Sequence, residues 1–150
     1  MKKILAFSLL CLIALTINAQ EYVDLGLPSG TMWKDVNEEG GFYTYEQAVS
    51  KFGNNLPTQK QLEELTKSCK WTWTDNGYEV VGPSGKSIFL PAEGSRFCCG
   101  MVYNVGPYGE YWTSSIYYDD LACLLHFDSE KYSDYGTKQC TGLSVRLVKK

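Results

Sequence analysis

The cysteines, a single histidine and a scatter of carboxylates are the side chains in this 150-residue chain whose chemistry could go beyond packing. Cys98 and Cys99 are adjacent, so they could bridge each other, hold a metal or stay reduced. A dedicated zinc site needs spaced ligands such as CxxC with histidines, and the chain offers only His126 and no CxxC. His126 alternates with Leu125 and Phe127, the pattern of a packed or surface strand residue rather than a base. Glu110 and Asp120 are the best carboxylate pair for glycoside hydrolysis, but nothing in the pattern sets them across a cleft. Ser114 and Ser115 lack the GxSxG setting of a hydrolase nucleophile. Arg146, between Val145 and Leu147, reads as a structural cation for a carboxylate or for loop carbonyls. No catalytic residue, metal or cofactor is assigned, and the expectation is a protein that is not an enzyme.

Recognition chemistry is better represented. Tyr103, Tyr108, Tyr117, Tyr118, Tyr132 and Tyr135 fall in segments rich in Gly, Asn, Ser and Asp, and tyrosine with small polar neighbours offers large contact area at low rotamer cost. Asp119 and Asp120 lie among them. These eight residues are the candidate ligand surface, suited to stacking on sugar rings or to a protein face. The structural alternative is that the rings cover small clusters beneath the loops. Asp119, Asp120, Asp128 and Asp134 have no regular calcium-loop spacing, so they read as solvated acids.

Those residues need a scaffold, and the first 19 residues are not part of it. Lys2 and Lys3 precede the apolar run Ile4–Ile17, and Asn18-Ala19-Gln20 places a small residue before a cleavage point. The expected division is a signal peptide over 1–19 and one domain over 20–150, exported to the periplasm, cell surface or medium. No later apolar run is long enough to span a membrane. Without Lys2 and Lys3 the domain has 12 basic and 17 acidic residues, a net charge of −5. That balance gives no basic stripe for a phosphate backbone, which argues against nucleic acid. Cys11 leaves with the signal, so Cys69, Cys98, Cys99, Cys123 and Cys140 remain, an odd set for an oxidising compartment. Cys69 shares a helical face with Leu62 and Leu65. Cys123 and Cys140 flank two neighbouring strand candidates and are a candidate bridge if the strands pair. A thiol left over could join another chain.

Periodicity supplies the elements. Val23–Leu27 and Thr31–Trp33 read as a hairpin around Pro28-Ser29-Gly30, and Tyr45–Phe52 as a helix stopped by Gly53. Thr58 and Gln61 have the spacing of a capping box opening a second helix with Leu62, Leu65 and Cys69 buried. Trp71–Thr74, Tyr78–Val81 and Ser87–Pro91 alternate as a three-stranded meander. Glu93–Gly109 reads as a long loop and Asp128–Thr141 as a polar connector, with strands over Glu110–Ser115, Leu121–Phe127 and Leu143–Val148. Trp33, Trp71, Trp73 and Trp112 fall in strand patterns and should be core or half-buried.

Five segments in order then carry a resemblance: Val23-Asp24-Leu25-Gly26-Leu27-Pro28-Ser29-Gly30-Thr31-Met32-Trp33, Leu56-Pro57-Thr58, Ile88-Phe89-Leu90-Pro91-Ala92-Glu93-Gly94, Tyr111-Trp112-Thr113-Ser114-Ser115 and Ser144-Val145-Arg146-Leu147-Val148. Together they resemble the Fibrobacter succinogenes major paralogous domain, a family of exported bacterial proteins, over essentially the whole mature chain. That family is similar to the wider C-type lectin-like fold, which includes formylglycine-generating enzymes. The resemblance implies an α+β domain: two helices packed on mostly antiparallel strands, paired terminal strands and a long loop region that presents the ligand surface. It implies a secreted binding module for a glycan or surface protein. The alternatives are a formylglycine-generating-enzyme-like oxidoreductase using a cysteine pair and copper, or a structural cell-surface component. The Glu-Pro-Asn, Gln-Pro-Asp and Trp-Asn-Asp triplets of calcium-dependent sugar binders are absent, and Cys98-Cys99 lacks the flanking residues of the copper motif.

Overall fold

Two helix starts are written locally in the sequence, and both form in the computed structural model, which describes residues 21–150. The export signal expected over 1–19 lies outside the described residues. Helix α1 (Tyr45–Phe52) opens on Thr44 and α2 (Gln59–Ser68) on Thr58, each closed by a reciprocal capping box with Gln47 or Gln61. In the second box Thr58 N–H donates to Gln61 Oε1 at 2.9 Å and Gln61 N–H to Thr58 Oγ1 at 3.2 Å. Two otherwise orphaned amides are satisfied at each helix start. A 3-10 turn at Gly53–Asn55 joins the helices, and Tyr45, Ala48, Leu62 and Leu65 form their buried stripes. Among the described residues no helix is long and apolar enough to cross a membrane.

The strands make an α+β fold that is antiparallel in every named pairing. Strand β2 (Met32–Lys34) is central to the first sheet, flanked by β1 (Tyr22–Val23) and β11 (Val148–Lys149). The first and last strands therefore share one partner. Strands β3 (Lys70–Thr74), β4 (Gly77–Val81) and β5 (Ser87–Pro91) form the meander expected from their alternation. The main sheet joins β8 (Gly109–Tyr118), β9 (Leu121–Phe127) and β10 (Tyr132–Lys138).

Four assignments change. Asp128–Thr141 is not simply a connector, because β10 pairs with β9 along seven residues, Tyr132 opposite Phe127 through Lys138 opposite Leu121. Glu93–Gly109 contains a short hairpin, β6 (Ser95–Arg96) with β7 (Val102–Tyr103). The final strand narrows to Val148–Lys149, with Leu143 and Ser144 held by isolated bridges to Tyr43 and Tyr111. In the opening hairpin only Tyr22–Val23 is strand, and Leu25 and Leu27 enter the core from irregular backbone.

The main sheet lies between two apolar clusters. Successive side chains of a strand point to opposite faces, so Leu125 and Phe127 join Trp33, Leu62, Leu65 and Leu90, while Ala122 and Leu124 join Tyr45, Leu56, Trp112 and Val145. Covering both faces explains why β9 reads as an almost unbroken apolar run. Trp33 and Trp112 are fully buried, whereas Trp71 and Trp73 are half-buried against the first cluster. Arg146, only 2% exposed, donates from Nε to Asn37 Oδ1 at 2.8 Å and from its two terminal nitrogens to the carbonyls of Lys34, Asp35 and Phe89 at 3.1, 3.1 and 2.7 Å. It ties the end of β2 to β5 as a structural cation, through two strand carbonyls and the one that follows β2 rather than through loop carbonyls alone.

Candidate functional site

The tip of the β6–β7 hairpin is a turn over Phe97–Gly100. Gly100 N–H donates to Phe97 O at 2.7 Å and Phe97 N–H to Met101 O at 2.8 Å. Gly100 has φ +95°, a left-handed conformation that glycine adopts without a Cβ clash. Cys98 and Cys99 are the two central residues of this turn. Neighbouring backbone fixes the hairpin: Arg96 N–H reaches Gly142 O at 2.8 Å and Gly142 N–H reaches Arg96 O at 2.7 Å. A disulfide joins Cys98 to Cys140, with Cα atoms 5.1 Å apart.

The expected Cys123–Cys140 bridge is therefore corrected. Cys123 stands opposite Gly136 on β10, so Cys140 lies four residues farther along, on the order of 10 Å away. Bridged cysteines have Cα atoms within about 7 Å. Cys123 instead is buried beside Gln59, its Sγ 3.5 Å from Oε1, and burial pushes its thiol up from the ordinary range. Cys69, at the end of α2, is pushed up to about 11, first by burial and then by Glu64. Cys99 is exposed and unbridged.

The same end of the molecule holds the β8–β9 turn. Gln139 N–H donates to Asp120 O at 3.3 Å, and Gln139 precedes the bridged Cys140. Asp119, at φ +44°, makes the reversal between Tyr118 and Leu121. Ile116, Tyr117 and Tyr118 project from it into solvent, Tyr118 being 68% exposed. Across the disulfide, Phe97, Met101, Val102, Tyr103 and Val105 are exposed as well, and the Phe97 and Tyr103 rings lie 4.3 Å apart. Seven of the thirteen exposed large apolar residues described in the chain belong to this hairpin and the β8–β9 turn. Of the expected ligand surface, Tyr117, Tyr118, Asp119 and Asp120 are thus gathered at the β8–β9 turn, and Tyr103 stands on the hairpin that the disulfide ties to Cys140.

The other three are not. Tyr108 and Tyr135 flank His126, with ring centroids 5.2 and 5.5 Å from it. Tyr132 faces the opposite side of the sheet, 4.7 Å from the Trp71 ring and donating to Thr66 O at 3.3 Å. Around His126 is a polar group that the sequence pattern did not reveal: Glu110 Oε1 lies 3.0 Å from His126 Nδ1 and accepts from the Tyr135 hydroxyl at 2.9 Å. Burial first, and then the Glu110 carboxylate, hold the Tyr135 phenol well above its usual range. Nδ1 is the ring nitrogen that faces the carboxylate.

Glu110 and Asp120 do not form a hydrolytic pair. They stand near opposite ends of β8, roughly 25 Å apart along the strand, whereas glycosidase carboxylates are about 5–9.5 Å apart. Cys98 is committed to Cys140, so Cys98 and Cys99 do not present the dithiol a copper site would need. Among the described residues, no three His, Cys, Asp or Glu side chains gather with metal-binding geometry. Asp128 closes its own turn instead, accepting from the Glu130 and Lys131 amides at 2.8 and 3.0 Å, and those bonds lower its carboxyl below the usual value. Ser115 Oγ accepts from the first amide of α2 at 3.0 Å, a structural use of that hydroxyl.

No family model, curated protein or solved structure matches the chain.

Proposed function

We propose that the chain is a non-enzymatic binding module of C-type lectin-like type, exported, that docks an apolar protein surface through its two neighbouring tips. One observation carries this reading: Phe97, Met101, Val102 and Tyr103 are exposed on the hairpin and Ile116, Tyr117 and Tyr118 at the β8–β9 turn, and the two segments are linked through Cys140, bridged to Cys98, and Gln139, bonded to Asp120 O. Monomeric soluble proteins rarely leave a contiguous apolar patch exposed unless it meets a partner. Tyr, Phe and Met are the residues enriched at such interfaces. The aliphatic members favour protein over glycan, because Met101, Val102 and Ile116 have no ring to stack on a sugar face.

The pairing of the first and last strands with β2, the two helices and the irregular segment before the final strands support the resemblance to the Fibrobacter succinogenes major paralogous domain. An intramolecular disulfide is in keeping with an oxidising compartment. The test is binding of the mature chain, residues 20–150, to arrays of surface proteins and of glycans. Capture of a protein ligand, weakened about 30-fold by Tyr118→Ala or Val102→Ser with the fold intact, is the expected result for hot-spot residues. Binding confined to glycans, or binding unaffected by both substitutions, overturns the reading.

A further inference from the structure

Three cysteines meet at the hairpin tip, and the bridge uses only two of them. Cys98, Cys99 and Cys140 are all exposed, so water and a thiolate can reach the disulfide. Cys98 and Cys99 are the consecutive central residues of the Phe97–Gly100 turn; their own backbone groups make none of the hydrogen bonds that close it, and glycine follows them at φ +95°. Successive Cα atoms are about 3.8 Å apart, and Cys98 lies 5.1 Å from Cys140. Cys99 Cα is therefore within about 9 Å of Cys140 Cα, and a bridge forms at about 4.4–6.8 Å. A shift of a few ångströms in one two-residue turn is enough. Cys140 is also in a turn, closed by Thr141 N–H on Lys138 O at 2.9 Å, beyond the last residue of β10. Neither side of the bridge is anchored inside a strand.

We propose that Cys140 exchanges between Cys98 and Cys99, so that the hairpin tip has two disulfide isomers. Cys99 gives its proton to water, and its thiolate attacks Cys140 Sγ. The Cys99–Cys140 bond forms as the Cys98–Cys140 bond breaks, and Cys98 leaves as a thiolate that takes a proton from water. One thiol and one disulfide enter the step and one of each leaves it. No oxidant or reductant is consumed. Of the other two unbridged thiols, Cys123 is buried and Cys69 half-buried, and burial raises both above the ordinary thiol range. Because the turn carries Phe97 on one side and Met101 on the other, changing which cysteine is bonded re-aims the apolar tip. The exchange itself does not depend on what the tip binds.

The experiment uses mature chain purified without reductant at acid pH, held at alkaline pH to speed thiolate exchange, then alkylated and sequenced by fragment-ion mass spectrometry. Label on both Cys98 and Cys99, in a ratio within about tenfold of unity, is expected for isomers of similar energy. Label confined to Cys99 overturns the proposal. Under denaturing alkylation the wild type should show three thiols per chain, Cys69, Cys123 and a third divided between Cys98 and Cys99. Cys98→Ser, refolded in a glutathione buffer whose disulfide form accepts the two electrons, should show only Cys69 and Cys123, because Cys99 takes over the bridge. Finding Cys99 and Cys140 also labelled in Cys98→Ser overturns it, and if that variant does not fold the wild-type map decides alone.

Discussion

Trp112 Nε1 donates to Tyr43 O at 2.7 Å, a fully buried bond between residues 69 positions apart. It fixes the start of the main sheet's longest strand to the loop that feeds α1, and the Trp112 ring packs edge-on against Tyr45 with centroids 5.5 Å apart. Trp112→Phe keeps most of the apolar contact and removes the donor. A loss of about 1–3 kcal/mol in urea-unfolding free energy is expected, and an unchanged midpoint would show that the bond contributes nothing net.

Arg146 satisfies three backbone carbonyls and Asn37 from a site closed to water. Arg146→Met fills similar volume but strands those acceptors, so a loss of about 3 kcal/mol or more is expected. Arg146→Lys should recover only part of it, since a single ammonium cannot span the fork of the guanidinium. Equal stability of Lys and Arg at this position would refute the clamp.

The thiol at the end of α2 gives a pH dependence with a definite sign. Cys69 is raised from 9.0 to about 11 in the folded protein, so between those values the unfolded chain has lost a proton that the folded one keeps. Stability from this group is present below pH 9 and is lost as pH rises toward 11. Urea midpoints measured from pH 8 to 11 should fall, and Cys69→Ala should flatten the decline over that interval. A slope identical in the variant would remove Cys69 as a cause.

Burial first, and then Glu110 by charge and as hydrogen-bond acceptor, hold the Tyr135 phenol in its protonated form. Glu110→Gln leaves an acceptor oxygen in place and removes the charge. In the tyrosinate titration followed by ultraviolet difference absorbance, one phenol should move from the most alkaline component toward the ordinary range, leaving buried Tyr111 in it. An unaltered titration would mean that burial alone sets it.

What was legible in the sequence was local. Thr58 and Gln61 stand three residues apart, and the start of α2 needed nothing more; Trp71–Pro91 showed its own alternation. Strand β10 was hidden because Tyr132–Lys138 carries polar residues on both faces, and its conformation is imposed by pairing with β9. The Glu110–His126–Tyr135 group was hidden by register. Bulges between Trp112 and Tyr118 shift the pairing, so counting back from the Asp119–Asp120 turn places Glu110 opposite the wrong residue. The choice of Cys98 over Cys123 as partner of Cys140 depended on backbone pairing between Arg96 and Gly142, which no nearby residue announces.

The shared partnership of β1 and β11 with β2 sets how the domain would carry load. Both outer strands run antiparallel to β2, Tyr22 opposite Lys34 at one end and Lys149 opposite Met32 at the other. Tension applied along the strands at Tyr22 and Lys149 would pull them in opposite directions across the same central strand. Their hydrogen bonds lie perpendicular to that pull, so they would be sheared together rather than peeled one after another, with the Lys149 ammonium 4.4 Å from the Tyr22 ring adding a side-chain contact across the join.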